Sequence, residues 1–520
     1  MRVLLLAILA LSIIIPIGVN DAFGGFVHDS VCNSLKHIPS DSWKLFLCST
    51  VEINEDTLGI TLVENARFGN SVANIGDLDL DGVNDLAVGS KRDHAGGTDR
   101  GAVYILFMNT DGSVKSTAKI DHTTTNGPTL RNVDRFGDSI ANMGDLNGDG
   151  INDLAVGAAN DDTKSNGSFG GANWNAGAVH ILFLNRDGSL ARATAVINDF
   201  TTNGPVLAEA DAFGMGVANI GDLDGNGYDD LAASAMLDDN QFATGNRGAV
   251  HILFMDENGG LAKATEIIDG TTTNGPTLGN GYWFGGSVAN IGDFDGNGVD
   301  DLAVGANLSL GGGSVATGAV YILFMDEDPG NGLAKATVVI DGTTTNGPTL
   351  SLQDRFGASV ANMGDMDGNG VNDLAVGARG DESYTGAVHI LFMNSDGSVD
   401  STIEINSSTT HKGPTLSAGD SFGTGLANIG DLNGNGVNDL VVGADRDNGD
   451  NEDVGAVHIL FFTSEIEEKK GSTCWDCTRP AITHHGHSET PDGFSINDAI
   501  FENNQELYNE NPTIEATVGD

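Results

Sequence analysis

Short apolar stretches alternate with runs rich in Gly, Asp, Asn and Thr along most of the chain, and the alternation itself repeats. Phe-Gly recurs at Phe68, Phe136, Phe213, Phe284, Phe356 and Phe422, a mean period of about 71 residues. Each copy runs in the same order. A strand-like stretch (136–143 in the second copy) leads into an Asp/Asn/Gly loop and then an apolar strand (154–157). A variable polar loop, a third strand (177–184), an Asp187-Gly188 turn and a fourth strand near 193–197 follow. Helical spacing is absent, and turn residues bound every stretch, so each copy predicts a four-stranded antiparallel meander.

The third strands are nearly continuous apolar sequence, as expected of strands covered on both faces. Four-stranded sheets recurring at this period predict an all-β fold, a β-propeller in which each blade hides its faces against the next. The sixth copy lacks a fourth strand before the charged stretch 465–470. The N-terminal stretch 49–54 (STVEIN) matches the fourth strand of the fifth copy, 401–406 (STIEIN), and both lead into the next Phe-Gly. Residues 49–60 can therefore complete the sixth blade and close the ring, which removes an exposed sheet edge. Six blades are expected, and seven if 23–48 or the tail adds a degenerate blade.

The loops after the first strands are the candidate chemistry. At positions 1, 3, 5 and 9 they carry Asp77, Asp79, Asp81 and Asp85; Asp145, Asn147, Asp149 and Asp153; Asp222, Asp224, Asn226 and Asp230. The other three carry Asp293, Asp295, Asn297 and Asp301; Asp365, Asp367, Asn369 and Asp373; Asp431, Asn433, Asn435 and Asp439. Position 6 is always Gly, which permits the tight turn. Alternate oxygen-bearing side chains on such a turn converge on one point and suit Ca²⁺, with Mg²⁺ disfavoured by its stricter octahedron. The position-7 carbonyls of Val83, Ile151, Tyr228, Val299, Val371 and Val437 can add a ligand. Six sites are thus expected, the first with the most carboxylates and the last, charged only at Asp431 and Asp439, the weakest. An EF-hand needs Glu at position 12, where this chain has Val88, Val156, Ala233, Val304, Val376 and Val442. Asx-rich β-turns are the alternative reading of any one loop.

Phe-Gly followed by Gly-Asp-x-(Asp/Asn)-x-(Asp/Asn)-Gly-x-x-Asp-Leu-Ala-Val-Gly-Ala resembles the FG-GAP repeat of integrin α-subunit heads, over roughly residues 49–463. The resemblance implies a β-propeller with Ca²⁺ in the loop of each matching blade. Integrin heads have seven blades and calcium loops in only some of them, whereas all six repeats carry the loop here. No long stalk or membrane helix accompanies the repeats, so receptor signalling is not implied. The linkers of the form Ile-Asp-x-Thr-Thr-Thr-Asn-Gly-Pro-Thr-Leu are similar to those of prokaryotic, archaeal-type secreted FG-GAP proteins.

Composition sharpens this in three ways. The chain has 73 Asp+Glu against 24 Lys+Arg, a net charge of −49, which excludes nucleic acid and disfavours anionic lipid surfaces. Arg2 followed by an apolar run to Val19 and a small residue near Ala22 fits a signal peptide at 1–22, an uncleaved anchor being the alternative. Export makes disulfides permissible. In the segment 23–48, Cys32 and Cys48 can pair around a stretch with helix-like apolar spacing at Val31, Leu35, Ile38, Trp43 and Leu47. In the tail, 464–520, Cys474 and Cys477 form a Cys-x-x-Cys with His484, His485 and His487 nearby, either a disulfide or a soft-metal site. The Cys-x-Asp-Cys-Thr…Gly-Phe-Ser pattern there resembles the opening of a β module of large archaeal surface proteins.

Other features read as structural. Tyr104, His180, His251, Tyr321, His389 and His458 share one strand position, which points to packing and hydrogen bonding rather than catalysis. Arg379-Gly380-Asp381 falls in a variable loop and is treated as coincidence, while Asn166, Asn307 and Asn406 begin glycosylation sequons. No nucleophile elbow, Walker loop or dinucleotide fingerprint occurs, so no enzyme is expected. The first functional expectation is a calcium-stabilised, secreted or cell-surface module for adhesion or ligand capture. Its partner would be an extracellular protein or glycan, held by variable loops at 90–100, 158–176, 235–247, 306–317, 379–385 and 444–454. A hydrolase or lyase on the propeller, with acids at the central mouth outside the repeat pattern, and a structural envelope component are the alternatives.

Overall fold

The computed structural model describes residues 33–34, 43–161, 175–239, 245–309, 316–327, 332–409, 412–447 and 453–466. Within them lie six sheets, five of them four-stranded meanders in chain order and the sixth joining strands from both ends of the described chain. The first blade shows the pattern: Phe68–Gly76, Asp85–Ser90, Ala102–Met108 and Val114–Ile120, every neighbouring pair antiparallel. The first strands line the axis, because those of all six blades touch their two counterparts in a closed cycle. The second and third strands are buried throughout in five blades, and in the sixth as far as Phe462, as their unbroken apolar sequences require. The hydrophobic clusters draw on adjacent blades, so the core lies between sheets.

Phe-Gly is the joint between blades. The six phenylalanines are fully buried, worth about 2–3 kcal/mol each relative to exposure. Each packs edge-on against the aromatic ring of its blade's third strand, from Phe68–Tyr104 at 5.6 Å to Phe136–His180 at 5.4 Å. In four of them, Phe136, Phe213, Phe356 and Phe422, the backbone bridges to the glycine just before the preceding blade's third strand, as in Gly101 with Phe136. Gly69 takes φ 85°, and a Cβ there would sit 2.4 Å from the Ala456 carbonyl oxygen. Glycine is the only residue this approach admits.

Ring closure matches the sequence expectation and extends it. The strand Trp43–Ile53 pairs antiparallel with Ala456–Ile466, completing the sixth blade with Phe422–Gly430 and Asp439–Ala444. The described residues thus form six blades, not seven. The described part of the stretch with helix-like spacing is extended, not helical: Trp43–Cys48 is strand and Asn33–Ser34 pairs with Leu47 and Phe46, while residues 31–32 and 35–42 lie outside the described residues. The long edge of Ala456–Ile466 offers hydrogen bonds and apolar cover to Leu45 and Leu47 that an isolated short helix lacks. The strand also crosses the boundary drawn between 48 and 49. Cys48 is disulfide-bonded; Cys32, the signal segment and all of 467–520, with Cys474, Cys477 and the histidines, lie outside the described residues. Among the described residues no helix is long and apolar enough to cross a membrane.

Candidate metal centre

Each first strand runs away from Phe-Gly into its Asp loop, and the second strand returns from it, so all six loops gather at one end of the propeller. The loops are built by their own acids. Position 1 accepts backbone N–H groups across the turn: Asp365 from Gly368, Asn369 and Gly370 at 2.7, 3.0 and 2.8 Å. Asp77, Asp145, Asp222, Asp293 and Asp431 do the same in their loops. At position 5 a side-chain oxygen accepts the position-7 N–H, from Asp81–Val83 and Asp149–Ile151 to Asn226–Tyr228, Asn297–Val299, Asn369–Val371 and Asn435–Val437. Where position 5 is Asn, its amide also donates to the end of the third strand, as Asn369 does to Met393.

Position 9 is fully buried in every loop. Asp85, Asp230, Asp301, Asp373 and Asp439 each accept from the position-2 N–H and from the third strand, for example Met366 and Met393 on Asp373 at 2.8 and 2.9 Å. Burial pushes these carboxyls up, Asp301 and Asp153 to about 7 and Asp373 and Asp439 to about 8. A cation beside them offsets that penalty. Asp153 is the sharpest case: its Oδ1 accepts from the Leu184 N–H at 3.2 Å, while its Oδ2 is buried without a hydrogen-bond partner.

Four loops bring three carboxylates together, with oxygens within 4.8 Å of one another: Asp77/Asp79/Asp85, Asp222/Asp224/Asp230, Asp293/Asp295/Asp301 and Asp365/Asp367/Asp373. Each could hold a metal ion, and the all-oxygen donor set suits a hard cation. The other two loops have Asn at position 3 and no such cluster among the described residues; Asn433 turns its amide toward Asp439 at 3.4 Å. Asp81 stands outside the cluster of its own loop. A cavity of about 280 Å³ opens between the fourth and fifth loops, lined by Asp293, Asp295, Gly370 and Asn372.

Two sets of residues at this end were not singled out from the sequence. Lys115 reaches Asp79 at 3.3 Å and also bonds Asp81. Lys335 and Lys263 approach Asp295 and Asp224 from the corresponding hairpins at 3.3 and 4.0 Å. In blade 5 that place is Asp400, which adds negative field at Asp367. The second set couples loops across blades: the position-8 amides of Asn84, Asn152, Asn372 and Asn438 donate to backbone carbonyls of the preceding blade, at Ile429, Ile75, Ile291 and Met363. Asn at that place in four of the six repeats, with Asp229 and Asp300 in the other two, was the available signal.

The four histidines pack on the Phe-Gly rings, and His180, His251 and His458 come within 3.5–3.9 Å of Asp161, Asp238 and Asp447. Gly380 is buried and Arg379 and Asp381 are half-buried, so the tripeptide is not displayed. Asn307 and Asn406 are buried, which withdraws those two sequons; Asn166 lies outside the described residues.

Comparison with known proteins agrees with this architecture. The FG-GAP repeat matches residues 68–106, 213–253, 284–323, 356–391 and 422–460, five of the six blades. Integrin alpha-PS5 of Drosophila melanogaster is 35% identical over 165 residues, 32% of this chain and 15% of that protein. Human integrin alpha-IIb is 34% identical over 167 residues, 31% of this chain and 15% of that protein. Mouse integrin alpha-2 is 38% identical over 94 residues, 18% and 8% respectively. The chain therefore matches only a small part of these relatives' length. With the strand order, the Phe-Gly joints and the loops in place, the chain is a six-bladed β-propeller that carries FG-GAP repeats and is similar to integrin alpha subunits over part of its length.

Proposed function

We propose that this propeller is a calcium-binding extracellular module, secreted or held at a cell surface, that captures a protein or glycan ligand in adhesion. Up to six Ca²⁺ ions bind at positions 1, 3, 5 and 9 of the Asp loops with the position-7 carbonyl. The observation that carries the reading is the convergence of three carboxylates in each of four loops, one of them buried at position 9. A buried carboxylate so placed is stabilised by a bound cation and costly without one. The metal serves the fold, and ligand specificity belongs to the loops at the opposite end, which differ from blade to blade. The likeness to integrin alpha subunits supports an adhesive role and gives no support to an enzymatic one. Calorimetric titration of chelator-treated protein with Ca²⁺, followed by thermal melting, tests this. Binding of about four or more ions with a rise in Tm is expected; no binding and an unchanged Tm would overturn it.

A further inference from the structure

The end of the propeller opposite the Asp loops is built from positions where the repeats disagree, and its cations are not scattered evenly. The residue before Phe-Gly is Arg67, Arg135 and Arg355 in blades 1, 2 and 5. The residues leaving the second strand are Lys91 and Arg92 in blade 1, Arg379 in blade 5 and, one place on, Arg446 in blade 6. Blades 5, 6, 1 and 2 are consecutive around the closed ring. Blades 3 and 4 have Ala212, Met236 and Trp283 at the corresponding places. A protein of net charge −49 thus holds seven of its 24 Lys and Arg residues in one arc beside its axis.

Among the described residues three acids form ion pairs with these seven cations. Arg67 pairs with Asp453 at 2.7 Å, and Lys91 lies 3.8 Å from Asp138 and 4.0 Å from Asp445. Among the described residues Arg92, Arg135, Arg379 and Arg446 make no ion pair. The Nε atoms of Arg92, Arg135 and Arg446 and the Nη1 of Arg67 are buried without partners. Arg67 as a whole is 7% exposed. Burial lowers the pKa of Arg379 and Arg67; Asp445 opposes this at both, and Asp453 at Arg67, while Arg355 and Arg446 act on Arg379 and Arg446 and Arg92 on Arg67 as like charges. Further out, Asp93 is committed to the Tyr104 hydroxyl and Lys119, and Asp420 to the Ser417 N–H. Asp138 and Asp445 are acids at the central mouth outside the repeat pattern, but Lys91 lies between them and neither is free to act as a catalytic pair.

We propose that this arc binds a compact oxyanionic group, a carboxylate or sulfate, on a ligand that approaches along the propeller axis. Guanidinium groups with unused N–H donors fit the two or three oxygens of such a group, and partial burial strengthens each charge-assisted bond. The rest of the surface repels extended polyanions, while screening over about 8 Å confines that repulsion and leaves a short-range site intact. The one-sided arrangement places the charge toward blades 5, 6, 1 and 2 and the uncharged part of the ligand toward Trp283 and Met236. The inference deepens the ligand-capture reading and does not depend on the metal loops.

The test is calorimetric titration of the full chain with sodium sulfate and with sodium glucuronate at fixed ionic strength, with chloride and glucose as controls. Binding of either oxyanion, weakened at least tenfold in the Arg355→Gln/Arg379→Gln double variant and unchanged in Arg186→Gln at the other end, is expected. Sulfate binding alone marks a tetrahedral group and glucuronate binding alone a carboxylate; both support the site. If the double variant does not fold, Arg92→Gln/Arg446→Gln replaces it with the same expectation. Binding of neither anion above the controls, or equal weakening by Arg186→Gln, overturns the proposal. Because calcium binding is read separately on the same samples, loss of one result leaves the other standing.

Discussion

The Asp loops of blades 1 and 5 have nearly the same sequence and opposite surroundings. Blade 1 carries four carboxylates, Asp77, Asp79, Asp81 and Asp85, and blade 5 three, Asp365, Asp367 and Asp373. By charge count the first should attract a cation more strongly. In the structure Lys115 already occupies the acidic mouth of blade 1, bonded to Asp79 and Asp81, and the Lys115 hydrogen bond is the chief reason Asp81 is held below the usual carboxylate range. Blade 5 has Asp400 in place of that lysine, and Asp367 is raised by burial with Asp365 and Asp400 adding to it. A cation site is ranked by the field of its neighbours as well as by its ligands. The expected order is therefore blade 5 above blade 1.

The comparison can be broken first at what the loops share. Asp373→Ala and Asp85→Ala each remove two backbone hydrogen bonds to a buried carboxylate, and each should cost about 3 kcal/mol or more in urea unfolding. Equal costs in chelator but a larger cost for Asp373→Ala in Ca²⁺ are expected. Exchanging the neighbours comes next. Asp400→Lys should weaken the blade 5 site by roughly tenfold, read by terbium luminescence, since two charge units change beside the ion. Lys115→Met should strengthen the blade 1 site severalfold, and no change there would mean the lysine yields to the metal without cost. The smallest effect is expected from Asp81→Asn, because blades 3 to 6 have Asn at that place and use it to brace the loop. A drop of less than about threefold in affinity fits an exposed carboxylate already screened by solvent and Lys115.

What the sequence made legible follows from the period. Strand order, the six loops, the buried third strands and the closing strand all repeat, so each copy corroborates the others. Phe68 and its five counterparts could be found by inspection, although the reason for the following glycine, a backbone approach between blades, needed coordinates. The Lys115–Asp79 pair was not legible, because the two residues lie on separate hairpins with the second and third strands between them. The arginine arc was less legible still. Arg67, Arg135, Arg355, Arg379 and Arg446 break the repeat rather than obey it, and only the closed ring brings blades 5 and 6 beside blades 1 and 2. Trp43–Cys48 misled because local apolar spacing carries no information about an unpaired edge more than 400 residues away.

That same closing strand has a consequence in time. Trp43–Ile53 is made early, yet its partner Ala456–Ile466 emerges roughly 400 residues later. Until then the early strand has no ladder to join, and the fifth-blade side of the nascent ring has no lock. The final seam joins the two most distant parts of the described chain, so ring closure is expected to be the slow, late event of folding. Anything that holds the chain extended until synthesis ends would favour correct closure, whereas premature collapse would leave Ala456–Ile466 as an open edge for a second copy to seize.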